Sequence, residues 1–131
     1  MAMGPNHTVG DTAIWVESDH VVFSGDIAVR PQAAFASPRS SRRQWLLSLD
    51  RLELLKPGMI VPSHDPTGDG SLFITAYREY LKEVRDRTAA EKQAGRSVDQ
   101  TVEAVTGAFG DRAPDKARLA RAIRTAYAEE P

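Results

Sequence analysis

Cysteine is absent from this chain of 131 residues, so neither a disulfide framework nor a thiolate metal site is available to it. Any metal has to be held by histidine and carboxylate groups. Long apolar runs are also missing: none approaches the roughly 18 residues of a membrane-spanning helix, so no membrane partner is expected. The first seven residues, Met-Ala-Met-Gly-Pro-Asn-His, hold no basic stretch followed by an apolar one. No export signal is read there, and a cytoplasmic location is expected. An excess of one charge is missing as well. The formal net charge is -1 and the basic residues form no stripe, so no nucleic-acid partner is expected. Repeats and low-complexity tracts are absent.

What is present is an ordinary globular mixture, 41% hydrophobic and 27% charged, of a size that suits one domain. Residues 12–17, Thr-Ala-Ile-Trp-Val-Glu, are rich in β-branched and aromatic side chains and predict a strand. Ser18-Asp19 reads as a turn and residues 20–24 as a second strand, giving a hairpin. Residues 27–39 carry turn formers without periodicity and read as a surface loop. Ser41 followed by Gln44 is a capping-box signature that opens a helix over 41–55, with Trp45, Leu49 and Leu52 on its apolar stripe. Pro57-Gly58 stops that helix. Met59-Ile60-Val61 then reads as a short buried strand and residues 62–70 as a loop. A second helix is expected over 71–93, its stripe formed by Phe73, Tyr77, Leu81 and Val84, with Gly95 as its cap. Ser97 with Gln100 opens a third helix. Pro114 suits the start of a fourth, along which Leu119, Ile123 and Tyr127 align. These elements divide into an α/β domain over 1–95 and a helical extension over 96–131 packed on it.

The chain holds three histidines, His7, His20 and His64. His7 precedes a strand, in Asn6-His7-Thr8-Val9-Gly10-Asp11. His64 follows a buried strand, in Pro62-Ser63-His64-Asp65-Pro66. Asp26 follows another strand, in Ser24-Gly25-Asp26. Strand ends in α/β sheets gather ligands, and His nitrogen with Asp oxygen suits zinc or a similar ion. Each signal alone is weak, since a Gly-Asp after a strand is ordinary turn chemistry and a loop histidine is ordinary surface. His20 sits at the hairpin turn and is expected to be exposed. Arg39, Arg42 and Arg43 read as a solvated surface or, since the preceding loop follows Asp26, as an anionic-substrate contact; Arg118, Arg121 and Arg124 read as a solvated helix face. Trp15 and Trp45 read as core.

Order and context add more. His7-Thr8 with Gly10-Asp11-Thr12, then a hairpin ending in Phe23-Ser24-Gly25-Asp26, a Trp-Leu helix, and Gly58-Met59-Ile60-Val61-Pro62 leading to His64 together resemble the carboxyl-terminal half of the metallo-β-lactamase-fold hydrolase superfamily. The likeness covers roughly residues 4–95. It implies half of an αβ/βα sandwich: a mixed sheet with helices on one face only, plus the helical extension. It also implies that His7 binds a first zinc ion, that His64 binds a second, and that Asp26 bridges the two as the catalytic carboxylate. The family's use of such a site is hydrolysis of an ester, thioester, lactam or related bond, in which metal lowers the pKa of water and polarises the substrate. Two departures stand out. The late motif is Ser63-His64-Asp65 where the family has Gly-His-Gly, and Asp65 reads either as a turn cap or as a partner that orients His64. The earlier His-x-His-x-Asp-His motif of the family is not in this chain.

A half sandwich leaves one sheet face apolar and uncovered, and such a patch marks an association site. Ile14 and Val16 alternate with Ala13 and Trp15, and Val22 alternates with Val21 and Phe23, so both faces of the hairpin are apolar, as in a sheet covered on both sides. The expected partner is therefore a second copy in a twofold homodimer that imitates the complete fold, or a separate chain that supplies the missing half. The competing function is a non-catalytic interaction or structural module without a complete metal site.

Overall fold

The computed structural model describes residues 1–30 and 39–129. Its element order is β1 (Ala2–Gly4), β2 (Asp11–Thr12), β3 (Ile14–Val16), β4 (Val21–Gly25), α1 (Arg42–Leu54), β5 (Met59–Pro62), β6 (Gly68–Asp69), α2 (Gly70–Gln93), α3 (Val98–Phe109) and α4 (Lys116–Glu129). Strands β3 to β6 form one sheet in chain order; β4 and β5 run parallel and the outer pairs antiparallel. β1 and β2 form a separate antiparallel pair. The sheet is mixed, as the sequence implied.

The hairpin turns through a short 3₁₀ segment at Glu17–Asp19, and His20 takes a left-handed conformation with φ of 52°. Pairing then sets two cross-strand rows: Trp15 opposite Val22 and Val22 opposite Ile60 on one face, Ile14 opposite Phe23 and Val21 opposite Met59 on the other. Residues alternate between faces along a strand, so the first row is buried and the second is not. Val22 and Ile60 are fully buried against Leu49, Leu52, Ile74, Tyr77 and Leu81 of α1 and α2. Ile14, Phe23 and Met59 on the opposite face are 60%, 44% and 45% exposed. Val16, Val21 and Val61, which share that face, are half-buried. Helices cover one face of the sheet, and an apolar patch of six residues remains on the other.

Local sequence explains the helices. Ser41 caps α1 by accepting from the Gln44 N–H at 3.2 Å. The reciprocal half of the expected box is not made, because the Gln44 side chain bonds the Met3 carbonyl instead, at 3.1 Å, and so ties α1 to β1. Asp69 caps α2, accepting from the N–H groups of Ser71 and Leu72 at 3.0 Å each. Gly70 is required at the first helical position: a Cβ there would lie 2.2 Å from the Pro57 carbonyl oxygen. Ser97 and Gln100 do form the full capping box on α3. α2 spans two hydrophobic clusters, with Ile74, Tyr77 and Leu81 beneath the sheet and Val84 among Val105, Phe109, Leu119 and Ile123 of the helical region. Tyr80 packs against both.

Several expectations need correction. No strand was expected ahead of His7, yet Ala2–Gly4 pairs with β2 and Met3 is 1% exposed. The expected loop over 27–39 begins inside the core: Ile27, Ala28 and Val29 are buried, and the Ile27 and Ala28 carbonyls accept from the Trp45 indole N–H and the Ser24 hydroxyl. The middle of that loop, residues 31–38, lies outside the described residues. Arg42 is buried, not solvated; its charge is desolvated beside Glu129, Tyr77 and Tyr80, which lowers the guanidinium's pKa. Trp45 is core as expected, whereas Trp15 is half-buried at the sheet edge. Among the described residues no helix is long and apolar enough to cross a membrane.

Candidate metal centre

The carboxyl ends of the parallel strands β4 and β5 lie side by side, and the first loops beyond them carry Asp26 and His64. This is the place where a sheet of this kind collects its chemistry. Gly25 makes the turn out of β4 with φ of 55°, a conformation that a side chain would strain. The Gly25 carbonyl then accepts from the Ser63 N–H at 3.2 Å, which locks the two loops together. The Ser63 hydroxyl donates a short hydrogen bond to Asp26 Oδ1. The departure at position 63 from the family's glycine thus gives the carboxylate a side-chain donor.

His7 comes from the β1–β2 loop, and Asp11 builds that loop. Its carboxylate accepts from the backbone N–H groups of Asn6, His7 and Thr8 at 3.2, 2.6 and 3.0 Å and from the Thr8 hydroxyl at 2.5 Å. One side chain therefore satisfies three successive loop amides, an Asx-type arrangement that fixes the backbone on which His7 is mounted. The His7 carbonyl accepts from the Ser40 hydroxyl at 3.1 Å. The ring lies 6.3 Å from that of Trp45, and the side chain is 10% exposed. The sequence flagged His7 and left Asp11 as part of the motif; its role as the loop's anchor is visible only in three dimensions.

The three expected ligands come together around one carboxylate. His7 Nε2 stands 3.7 Å from Asp26 Oδ2, and His64 Nε2 stands 3.5 Å from Asp26 Oδ1. His64 is 70% exposed. His20, as expected, is exposed on the hairpin, against the edge of Trp15. Two ligand atoms at about 2.0–2.1 Å from a tetrahedral zinc stand roughly 3.3–3.4 Å apart, so each histidine–oxygen pair is spaced to share an ion. Among the described residues, however, no group of three or more His, Cys, Asp or Glu side chains gathers where one metal ion would sit. Both observations describe the same arrangement: a histidine beside each oxygen of Asp26, and no third ligand with either pair among the described residues.

Asp65 has a long-range partner that neither reading named. Its Oδ2 accepts from the Arg30 N–H at 2.8 Å, across 35 positions of sequence, and so braces the segment after Asp26.

A cavity of about 480 Å³ opens over these groups, lined by His7, Asp26, Val29, Trp45, His64, Tyr77 and Arg118. Its size falls among small-molecule sites. Tyr77 was read as core and Arg118 as surface; both border the site. Burial pushes the Tyr77 phenol's pKa well up, so it stays neutral. Arg118 is held by Asp115, Nε to Oδ2, at 3.0 Å. Nothing in the sequence could have placed Arg118 at the cavity, because its position depends on how α4 packs against α2.

Residues 1–64 match the family model of the metallo-beta-lactamase superfamily. A metallo-beta-lactamase family protein from Thermus thermophilus has a similar structure, with a TM-score of 0.67 at 15% identity over 94% of this chain and 40% of its own. A beta-lactamase domain protein from Burkholderia ambifaria gives 0.63 at 21% identity over 96% of this chain and 40% of its own. A metallo-beta-lactamase from Pontibacter korlensis gives 0.55 at 24% identity over 63% and 40%. At these identities the likeness establishes the fold, and the first two matches extend through the helical region. The chain spans about 40% of the length of these solved relatives. No curated protein matches it significantly.

Proposed function

Because residues 1–64 match the metallo-β-lactamase superfamily model, we propose that this chain is the carboxyl-terminal half of a zinc-dependent hydrolase site, completed when a second half covers its open sheet. The observation that carries this reading is the Asp26 carboxylate with a histidine on each oxygen. His7 with Oδ2 would hold one ion, and His64 with Oδ1 the other. When bound, such ions make water a nucleophile at neutral pH and polarise the bond to be cleaved. The chain's own residues prepare for this. Asp11 fixes the loop that presents His7, Ser63 holds Asp26, and Asp65 braces the strand-end segment at Arg30. Trp45, Val29 and Tyr77 form the wall against which a substrate would lie.

The second half, in this proposal, is another copy of the same chain. The six apolar residues on the uncovered face are the surface that a twofold copy would cover. A specific observation favours a second reading, a non-catalytic interaction module: two protein ligands per ion fall short of the three that a catalytic zinc commonly has.

The test is a native mass spectrum with added zinc. The shared-carboxylate site predicts a dimer holding two ions per chain, with one lost in His7→Ala, one lost in His64→Ala and both lost in Asp26→Asn. A metal-free dimer would leave the interaction module standing. A chain that takes up no zinc and does not assemble would overturn the self-assembled site and leave a separate chain as the source of the missing half.

A further inference from the structure

We propose that Tyr77 donates the hydrogen bond that anchors a substrate in the cavity, and that the buried charge of Arg42 near it selects a substrate bearing a carboxylate. This rests on the hydrolase reading above and names an anchoring residue and a substrate class for the same site. Tyr77 borders the cavity, yet its side chain is buried and no described residue bonds its hydroxyl. Buried hydroxyls ordinarily have a partner, so one left unpaired beside a cavity marks a contact made by something other than the protein. Desolvation, the first cause of its raised pKa, keeps the phenol protonated and therefore a donor. The Asp26 charge also acts on this phenol, which puts it within electrostatic reach of the metal centre.

Arg42 supplies an independent observation. It opens α1, where the helix's own N–H groups already make the potential positive. It is 1% exposed, and neither its Nε nor its Nη1 has a partner among the described residues. Glu129 directs both carboxylate oxygens to the Arg42 backbone N–H, at 2.8 and 3.0 Å. A buried cation with two unmet donors favours a further anion close by. Tyr77 lies in its field, since the Arg42 charge acts on the phenol. Arg42 does not line the cavity, so it acts through the potential at Tyr77. One hydroxyl and one formal charge match a carboxylate. The apolar body of such a ligand would lie on Trp45 and Val29, with the bond to be cleaved towards Asp26.

The experiment uses the metal-free full chain and follows the indole N–H signals of its two tryptophans by NMR during titration with butyrate and with its neutral counterpart butyramide. Trp45 borders the cavity, its ring 5.6 Å from that of Tyr77, and Trp15 does not border it, so Trp15 serves as the internal control. The expected result is a saturable shift of Trp45 alone, with butyrate binding more tightly than butyramide. Tyr77→Phe should weaken butyrate about tenfold or more, the loss of one hydrogen bond to a charged group. The same variant should leave the melting temperature of the ligand-free chain unchanged or raised, because the hydroxyl it removes has no partner in the protein. Arg42→Leu should bring butyrate down to the level of butyramide, and Arg43→Gln, at the exposed neighbouring position, should change nothing. If Arg42→Leu does not fold, the preference of the wild-type chain for butyrate decides the charge claim. No saturable shift, equal binding of the two ligands, full butyrate binding in Tyr77→Phe, or a ligand-free Tyr77→Phe chain that melts earlier than wild type would overturn the proposal. Zinc uptake, read by native mass spectrometry, separates the two readings. Zinc uptake without Tyr77-dependent butyrate binding sinks this inference alone. Tyr77-dependent butyrate binding without zinc uptake sinks the metal reading alone.

Discussion

The helical region and the sheet region of this chain satisfy themselves to different degrees. Around α3 and α4 the apolar side chains are buried and the helix ends are tied locally. The capping box closes the start of α3, Phe109 and Ile123 are buried with Val84, and Lys92 and the Tyr127 hydroxyl bond the carbonyls of Tyr127 and Arg96. The sheet region meets its demands on one face only. Val22 and Ile60 are sealed beneath α1 and α2, while Ile14, Phe23 and Met59 stay open, and at the strand ends one carboxylate stands between two histidines. The difference teaches that the helices bury their apolar faces within this chain, whereas the sheet leaves one apolar face in solvent.

The comparison breaks most sharply if the two regions unfold apart. α2 runs through both clusters and Tyr80 packs against both, so one cooperative transition is expected. Trp45→Ala removes the indole from the sheet cluster along with its 2.7 Å bond to the Ile27 carbonyl and should cost about 3–5 kcal/mol. Ile123→Ala in the helical cluster should cost about 2–5 kcal/mol. Chemical denaturation followed by fluorescence and by circular dichroism should give coincident curves for both variants. Separate transitions in Ile123→Ala would show that the helices are an independent appendage.

A smaller effect sharpens the same comparison at the seam. Glu83 of α2 accepts two hydrogen bonds from Arg112, just before α4, and one from Arg87. These hold its carboxyl at about 2, against an ordinary 4.5. The folded-state pKa is depressed, so the stabilisation is present above about 4.5 and lost as pH falls from there towards 2. The group is partly exposed, so solvent screening keeps the gain below about 1 kcal/mol. Glu83→Gln should lower stability by that small amount at pH 7 and make no difference near pH 2. An equal deficit at both pH values would mean that packing, not charge, is lost.

Legibility in the sequence followed the same division. Periodicity exposed Tyr77, Leu81 and Val84 on α2, and paired cap residues exposed the start of α3, because helical signals are local. The mixed sheet and the shared position of His7, Asp26 and His64 became legible through the motif run taken together, since no one of those residues is distinctive. What stayed hidden depended on packing between distant segments. β6 is two residues long, too short for any pattern. Ile27 to Val29 are apolar, but the turn formers that follow them read as loop. Arg42 and Arg118 look like any helix-surface arginine; burial of the one and the cavity position of the other are set by elements far away in sequence. Asp65 bonds across 35 positions, beyond the reach of turn chemistry.

Sedimentation velocity across micromolar concentrations, on the wild-type chain and on the double variant Phe23→Lys, Met59→Lys, tests most directly whether the open sheet face is built to be covered. Both side chains are largely exposed in the single chain, so the lysines should leave its fold intact. The account predicts a wild-type dimer and a folded monomeric variant. A wild-type chain that stays monomeric, or a variant that dimerises as well as the wild type, would contradict it.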